Sequence, residues 1–356
     1  MGNTLIIRNH RIGDALIVLP LVVSLALKYK NETFTVITNE RFDNLLDIMP
    51  GNVLFIPMVG KKSQGIFRGI SYFIRRQLFL YRIQSCSKLF NRIAFLQYET
   101  FEKKLHKYIL RKKNDVLIAI TDETEFRSDK RLLNKCLDGL TMIGLHTDTL
   151  RKLGYTDICP VSDPSKIRNQ DVSSICREIG IDLTKRLIAI APFSKEKTKI
   201  YPLDKMEQVV GYFSSQTSLY QVLILGGGYE EKNLVDKWVE KYPSIISLVD
   251  RIPFGYETVI IAKCSLVLSM DSANLHLASL LHTPVVSIWG ATTPENGYYP
   301  SKEDIGSAIC KRLECQPCSI FGEKPCIRKN RYECLDIDSR IVIDKMEEVL
   351  TGNLSR

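Results

Sequence analysis

Two carboxylates lie close behind the ends of predicted strands of the chain. Asp14 comes after the first apolar run and a turn that contains Gly13, and Asp271 comes after the run Leu266 to Met270. In an open parallel sheet, ligands bind beyond the carboxyl ends of the strands. Asp14 could take a proton from an incoming hydroxyl as a general base, and Gly13 lets the backbone approach a substrate closely. Asp is also a favoured helix N-cap, so both interpretations of Asp14 stay open.

The segment after Asp271 opens a predicted helix with small and polar residues. Ser272, Ala273 and His276 lie there. A helix N-terminus offers backbone N–H groups and the positive end of the helix dipole, which suits a pyrophosphate. We expect Asp271 to cap this helix and Ser272 to add a donor. His276, one turn into the helix, is either a ligand contact or a buried structural histidine.

Two further loops follow neighbouring predicted strands. The first carries Ser194 and Lys199, where lysines supply cations for phosphates, although exposed loop lysines often bind nothing specific. The second contains Gly227 in a Gly-Gly-Gly turn followed by Glu230 and Glu231, and a glutamate there could accept ribose hydroxyls. This turn is not GxGxxG and is a weak nucleotide motif by itself. Three loops at one sheet edge together favour a nucleotide site.

Four cysteines near the C-terminus have the spacing C-x2-C-x7-C-x7-C. They are Cys315, Cys318, Cys326 and Cys334. Four thiolates permit a tetrahedral structural zinc site, although the second pair lacks tight spacing. Reduced structural thiols are the alternative. The ten cysteines of the 356-residue chain are too sparse for a disulfide scaffold.

The positive charge of the chain is concentrated in one segment. The net charge is +9, but residues 61–113 alone carry +12, so the rest is slightly acidic and the chain is not a uniformly basic nucleic-acid-binding protein. Aromatic residues, among them Phe90 and Phe95, alternate there with Arg75, Arg76 and Arg82. This pattern suits a surface that meets anionic lipid. A solvated helical face with core aromatics behind it is the alternative, and single-stranded nucleic acid is a weaker one.

Short β-branched runs alternate with longer helical patterns, which predicts two doubly wound parallel α/β domains. We place them at 1–160 and 161–338, joined by a Pro-, Ser- and Asp-rich linker, and expect residues 339–356 to form a helix that packs back on the first domain. The longest apolar run has 13 residues, short of the about 20 that span a membrane. We expect neither a transmembrane anchor nor a cleaved signal peptide. The predicted strands are 4–8, 33–38, 53–57, 116–120, 187–191, 221–225, 245–248, 266–270 and 284–289.

Most of the chain resembles glycosyltransferase family 9, the ADP-heptose:lipopolysaccharide heptosyltransferases. The resemblance rests on IIRNHRIGDALIVLPLV, APFSKEKTKIYPLDKM, ILGGGYEE and MDSANLHLASLLHTPVVSIWGATTPENGYYP, of which the last is the most specific. The Cys-rich tail also resembles that of some heptosyltransferases. The family implies a GT-B fold, in which two Rossmann-like domains face an interdomain cleft.

The resemblance also implies roles for single residues. Asp14 would be the base, with Gly13 shaping its turn, and Lys199 would meet the donor phosphates with Ser194 nearby. The nucleotide sugar would be bound by Asp271, Ser272 and His276, and its ribose by Glu230 or Glu231. The sequence departs from the family at Ala273, where the family has glycine, and in the stretch Val249 to Pro253. Both departures lie where the donor should bind.

The expected function is therefore inverting, metal-independent transfer of a heptose or related sugar from a nucleoside-diphosphate sugar, most simply ADP-heptose. The acceptor would be an anionic, lipid-linked lipopolysaccharide core at the cytoplasmic face of the inner membrane, and no cofactor is required. Two alternatives stay open. One is a non-catalytic nucleotide-sugar or polyanion binder, which Ala273 makes conceivable. The other is a different GT-B enzyme, such as a nucleotide-sugar epimerase.

Overall fold

The computed structural model describes two compact units of the chain. The described residues are 2–8, 12–39, 45, 47–58, 89–111, 115–121, 141–300, 304–328 and 331–352. The first unit comprises Met1–Thr124 and Met142–Ser162, and the second comprises Glu125–Thr141 and Asp163–Arg356. The last passage from the first unit to the second falls after Ser162, inside the predicted linker at residues 156–171. None of the described helices is both long and apolar enough to cross a membrane.

The first unit is built on a parallel five-stranded sheet of order β3-β2-β1-β4-β5. Its strands are mostly apolar on both faces, as parallel strands covered by helices are. The predicted parallel α/β architecture is confirmed here. The elements are β1 (Asn3–Ile7), α1 (Ile12–Lys28), β2 (Thr33–Asn39), β3 (Val53–Met58), β4 (Arg92–Phe95), α2 (Thr100–Leu110), β5 (Leu117–Ile120) and α3 (Met142–Lys152).

Strand β4 lies inside the basic segment, where no strand was predicted. Phe90 and Phe95 are 5% and 0% exposed and belong to the core on one face of the sheet. The charge of Arg92 is paired with Glu32, whose Oε2 lies 2.8 Å from Arg92 Nη1. For Phe90 and Phe95 the interfacial interpretation is therefore wrong, and they are core aromatics. Arg75, Arg76 and Arg82 lie outside the described residues.

The second unit is built on a parallel six-stranded sheet of order β11-β10-β9-β6-β7-β8. Its third strand from one edge, β9, is buried along its whole length between β10 and β6. The five predicted strands of this unit are found, and β11 is additional. The elements are α4 (Ser165–Arg168), α5 (Ser173–Ile179), β6 (Arg186–Ala191), α6 (Leu203–Ser214), β7 (Tyr220–Ile224), α7 (Tyr229–Lys241), β8 (Ile246–Ser247), α8 (Phe254–Lys263), β9 (Leu266–Met270), α9 (Ala273–Leu280), β10 (Val285–Trp289), β11 (Ala308–Cys310) and α10 (Ser339–Gly352).

The C-terminal helix α10 belongs to the second unit. Val342, Ile343, Met346 and Leu350, spaced along one helical face, are buried in that unit's core. The carbonyl oxygen of Leu350 accepts a 2.8 Å hydrogen bond from Arg186 Nη2 at the start of β6. The expectation that this helix packs back on the first domain is corrected, because its apolar face is used within the second unit.

Candidate functional site

Asp14 lies in the first turn of α1, at the carboxyl edge of the first sheet. The helix begins at Ile12, so Asp14 is its third residue rather than its N-cap, and Gly13 precedes it within the same turn. Asp14 Oδ2 lies 3.4 Å from Nη2 of Arg8, the residue after β1. Arg8 also donates from Nη1 to the carbonyl oxygen of Leu96 at 2.7 Å. Both charged side chains are nearly buried, so the guanidinium fixes the direction of the carboxylate.

Asp271 is the centre of a cluster in the second unit. Its Oδ2 lies 3.3 Å from Lys199 Nζ and accepts a 2.7 Å hydrogen bond from Thr292 Oγ1. The side chains of Lys199 and Asp271 are 11% and 9% exposed. Ser194 Oγ lies 3.4 Å from the carbonyl oxygen of Asp271. The structure thus brings together residues from the carboxyl ends of β6, β9 and β10.

A close approach of two loops places Lys199 in this cluster. Lys199 ends a short 3-10 turn, Lys197–Lys199, and the carbonyl oxygen of Thr198 accepts a 3.0 Å hydrogen bond from the backbone N–H of Ala291. A Cβ at Gly290 would overlap that same carbonyl oxygen. Glycine at 290 is therefore what lets the turn lie against the end of β10.

The N-terminus of α9 lies next to Asp271 in the chain. Ser272 is the N-cap, with extended backbone and no side-chain capping hydrogen bond, and its hydroxyl lies 3.1 Å from Ser269 Oγ. The predicted cap by Asp271 is wrong, because that carboxylate is engaged by Lys199 and Thr292. The methyl group of Ala273, half-buried, stands at the first helical position. His276 is 7% exposed, one turn into the helix.

The glycine turn after β7 is held by two carboxylates. Glu231 Oε2 accepts a 2.8 Å hydrogen bond from the N–H of Gly227, and Asp250 Oδ2 accepts a 2.7 Å bond from the N–H of Gly228. Burial raises the pKa of Glu231, and the negative charge of Asp250 adds to the shift. Glu230 is exposed. The ribose interpretation of Glu231 remains a prediction, and one of its oxygens is already used by the turn.

The four clustered cysteines are free thiols. Burial raises the pKa of Cys318 and of Cys334 to about 11, and neighbouring thiols of the cluster add to both shifts. Among the described residues, which include all four, no group of three or more His, Cys, Asp or Glu side chains is arranged to hold a metal ion. Structural zinc at Cys315, Cys318, Cys326 and Cys334 is therefore not supported.

Sequence reasoning assigned no role to three residues of these sites. Thr292 stands in the Gly-Ala-Thr-Thr-Pro turn that was quoted for the family, so a signal for it existed. Arg8 ends the first predicted strand, 4–8, and was not connected with Asp14. Asp250 lies in the stretch that departs from the family, with φ +50°, and nothing in the sequence indicated that it holds the glycine turn.

The chain has two Rossmann-like units, each built on a parallel sheet, which is the architecture of the GT-B class of glycosyltransferase folds. Within that class, residues 156–327 match the model of Glycosyltransferase family 9 (heptosyltransferase). This part of the chain is therefore similar to family 9 heptosyltransferases, and the resemblance seen in the motifs is confirmed.

A curated relative is similar to part of the chain, and several solved structures share its fold. Over 111 residues the chain is 27% identical to lipooligosaccharide heptosyltransferase 2 of Haemophilus influenzae, a match that spans 30% of this chain and only 29% of that protein. The fold is shared with ADP-heptose lipopolysaccharide heptosyltransferase II of E. coli, at 16% identity and a TM-score of 0.67 over 99% of both chains.

Two more solved structures share the fold of this chain. The family 9 glycosyltransferase of Veillonella parvula DSM 2008 has 16% identity and a TM-score of 0.71 over 99% of this chain and 98% of that one. E. coli heptosyltransferase WaaC with ADP has 14% identity and a TM-score of 0.68 over 98% and 99%. At these identities the structural likeness concerns the fold.

Proposed function

We propose that the protein transfers a heptose from ADP-heptose to a sugar of a lipopolysaccharide core, with inversion at the transferred carbon and without a required metal or cofactor. The observation that carries this proposal is the cluster of Lys199, Asp271 and Thr292 next to the N-terminus of α9, inside a heptosyltransferase-family domain. The nucleotide is proposed as ADP because WaaC, which shares the fold, is solved with ADP.

The second unit provides positive charge where the leaving group develops negative charge. As the bond between the sugar carbon and the diphosphate breaks, charge grows on the departing phosphate oxygens. Lys199 Nζ and the N–H groups that begin α9 stabilise that charge, and groups already held in place do so without reorganisation. Asp271 keeps Lys199 in position, and Thr292 keeps Asp271 in position.

The first unit provides the base. The acceptor hydroxyl attacks the anomeric carbon in line with the departing diphosphate, and Asp14 takes the hydroxyl proton. A single displacement inverts the configuration at that carbon. Arg8 holds the carboxylate in one orientation, which favours proton transfer along one direction. Asp14 thus acts as a catalytic residue and Arg8 as its positioning residue.

We also propose that the first unit docks on the anionic surface of the inner membrane, on its cytoplasmic side, where a lipid-linked acceptor lies. Helix α2 supports this, because its exposed face carries Lys103, Lys104 and Lys107, with Arg111 directly after it. Tyr108, also exposed, adds an aromatic ring to that face. Each cation near an anionic surface contributes about 1 kcal/mol. Arg75, Arg76 and Arg82 are proposed to extend this surface.

The transfer proposal is tested with purified protein, ADP-heptose and a lipopolysaccharide core acceptor, by following ADP release and the mass of the product. Asp14→Asn should reduce kcat by about 100-fold or more, the usual contribution of a general base. Its affinity for ADP, measured by calorimetry, should stay within about twofold. Turnover of Asp14→Asn near that of the wild type would reject Asp14 as base.

The membrane proposal is tested by co-sedimentation, which measures the fraction of protein bound to vesicles. Vesicles prepared with about one third anionic lipid are compared with neutral vesicles. Glutamine at positions 103, 104, 107 and 111 should abolish the preference for anionic vesicles. A control with the same loss of charge replaces four exposed lysines spread over the chain, Lys30, Lys152, Lys166 and Lys237, and should keep it. Equal losses in both variants would mean that only net charge matters.

A further inference from the structure

Residues 311–328, the Cys-rich loop, follow β11 and include Cys315, Cys318 and Cys326. The thiols of these cysteines are free, and the proposed transfer chemistry does not use them. The backbone of the Cys-rich loop nevertheless contacts both turns that build the cluster around Asp271. These contacts indicate that the loop has a task in the donor site.

One part of the Cys-rich loop is bonded to the turn after β10. The backbone N–H of Cys318 donates to the carbonyl oxygen of Ala291 at 2.7 Å. Gln316, which is 6% exposed, donates from Nε2 to the carbonyl oxygen of Gly290 and, at 3.4 Å, to that of Thr292. The loop therefore fixes the backbone of the turn that carries the donor-site threonine.

A second part of the Cys-rich loop, at Gly322, lies against the turn that carries Lys199. The hydroxyl group of the buried Thr198 donates to the carbonyl oxygen of Gly322. A Cβ at Gly322 would lie 2.8 Å from Lys199 Cγ and 3.0 Å from Lys199 Cδ. Carbon atoms in contact are about 3.5–4.0 Å apart, so the bare backbone of glycine is what can lie against the lysine stem.

The backbone conformation of Gly322 also requires glycine. Its φ is +77°, in the left-handed region that residues with a Cβ rarely adopt. This conformation turns the Gly322 carbonyl toward Thr198 while its Cα faces the stem of Lys199. The lysine is thus held at two points, because its Nζ lies 3.3 Å from Asp271 Oδ2 at the other end of the side chain.

We infer that the Cys-rich loop forms one side of the donor site and that Gly322 is a positioning residue, which holds the stem of Lys199 so that its ammonium group meets the diphosphate. The inference rests on the proposed function, which assigns Lys199 to the donor phosphates. A long side chain loses rotamer freedom when it is fixed. Because Gly322 fixes this stem when the protein folds, that cost does not reduce the affinity for the donor.

The test is a double-mutant cycle on the affinity for ADP, measured by isothermal titration. The methyl group of Gly322→Ala displaces the lysine stem, so ADP binding should weaken about tenfold, as for a partly lost hydrogen bond to a charged group. Lys199→Met removes the ammonium group, so displacement of the stem then matters little. In that background Gly322→Ala should change the affinity by no more than about twofold.

Thr198→Val probes the same contact without adding volume at Gly322. It removes the hydroxyl group that donates to the Gly322 carbonyl oxygen and keeps a side chain of similar size. Loss of this single hydrogen bond should weaken ADP binding about threefold, and the effect should again vanish in the Lys199→Met background. This variant decides the question if Gly322→Ala does not fold.

Gly180→Ala is the matched control for backbone strain. Gly180 ends α5 in the same unit with φ +85°, and the nearest atom to its Cβ would be Ile246 Cδ1 at an ordinary 3.6 Å. Its substitution should lower the melting temperature but leave the ADP affinity unchanged. The comparison separates strain, which both alanine variants share, from displacement of Lys199, which only Gly322→Ala causes.

The inference is overturned if Gly322→Ala, or Thr198→Val where the first variant does not fold, binds ADP like the wild type. It is also overturned if either variant loses the same factor with and without Lys199, because a purely structural role gives additive losses. Lys199→Met with wild-type affinity would instead refute the donor site of the proposed function, and this inference with it. The two failures are therefore distinguishable.

Discussion

At the scale of single residues, both candidate sites contain a buried cation paired with a carboxylate. Lys199 is paired with Asp271, and Arg8 is paired with Asp14. In the proposed donor site, the Asp271 carboxylate keeps the lysine ordered before a phosphate arrives. A phosphate would then join the existing pair of Lys199 and Asp271. Thr292 donates a hydrogen bond to the same Asp271 oxygen and helps to keep that carboxylate in place.

Lys199 should therefore dominate the affinity for the nucleotide. Lys199→Met is expected to weaken ADP binding by about 10- to 100-fold, since a hydrogen bond to a charged group contributes about 1.5–3 kcal/mol. Lys197→Met is the matched control, because Lys197 lies in the same 3-10 turn but is exposed. Isothermal titration with ADP measures both. Equal losses would show that the loop acts only through its net charge.

The raised pKa of Glu231 makes a prediction about stability. A carboxylate whose pKa is raised in the folded state destabilises that state above this pKa, and the cost disappears as the pH falls below the unfolded value. Glu231→Gln should thus raise the melting temperature at pH 8, and the gain should shrink as the pH falls toward 5. The amide oxygen can still accept from Gly227.

Glu230→Gln is the control for this prediction, because Glu230 is exposed in the same turn of α7. Its melting temperature should follow the wild type at every pH. If the rise in melting temperature of Glu231→Gln is the same at every pH, the burial of a charged carboxylate is not its cause.

At the scale of elements, the carboxyl edge of the second sheet depends on how closely two loops approach. A Cβ at Gly290 would meet the Thr198 carbonyl and lie 2.8 Å from Leu335 Cδ2. Gly290→Ala should therefore displace the turn that carries Lys199. Overpacking of this kind costs about 1–3 kcal/mol, and we expect a lower melting temperature together with weaker ADP binding.

Gly306→Ala provides the comparison, since nothing lies within 4 Å of a Cβ at that position. It should leave both the melting temperature and the ADP affinity unchanged. A Gly290→Ala protein with wild-type affinity would mean that the turn can shift without moving Lys199.

The elements were largely predictable because parallel strands that are buried on both faces read as short apolar runs. Strand β4 was missed because Arg92 interrupts such a run, and its charge is neutralised by Glu32, 60 residues earlier in the chain. The contact between Asp271 and Thr292 is similarly non-local. Motifs thus identified the loops that carry the sites, but which side chains pair within them depends on strand order and register, which sequence spacing does not give.

At the scale of the whole molecule, each unit has a core of its own, and the last helix of the chain completes the second one. Helix α10 packs on α6 and against β9 and β10, so it covers part of the sheet that carries the proposed donor site. The assignment of this helix to the first domain failed because an amphipathic helix shows which face is apolar but not which surface receives it.

Removal of α10 should therefore unfold the second unit. Its four core side chains, Val342, Ile343, Met346 and Leu350, are 6% exposed or less, and each contributes about 1.5–3 kcal/mol on burial, a total comparable with the stability of an ordinary domain. A chain that ends at residue 338 should lose ADP binding and become sensitive to protease throughout 163–338, while a fragment near 1–162 persists. A chain that ends at Gly352 should behave as the wild type, and ADP binding that survived the longer truncation would show that α10 is dispensable for the donor site.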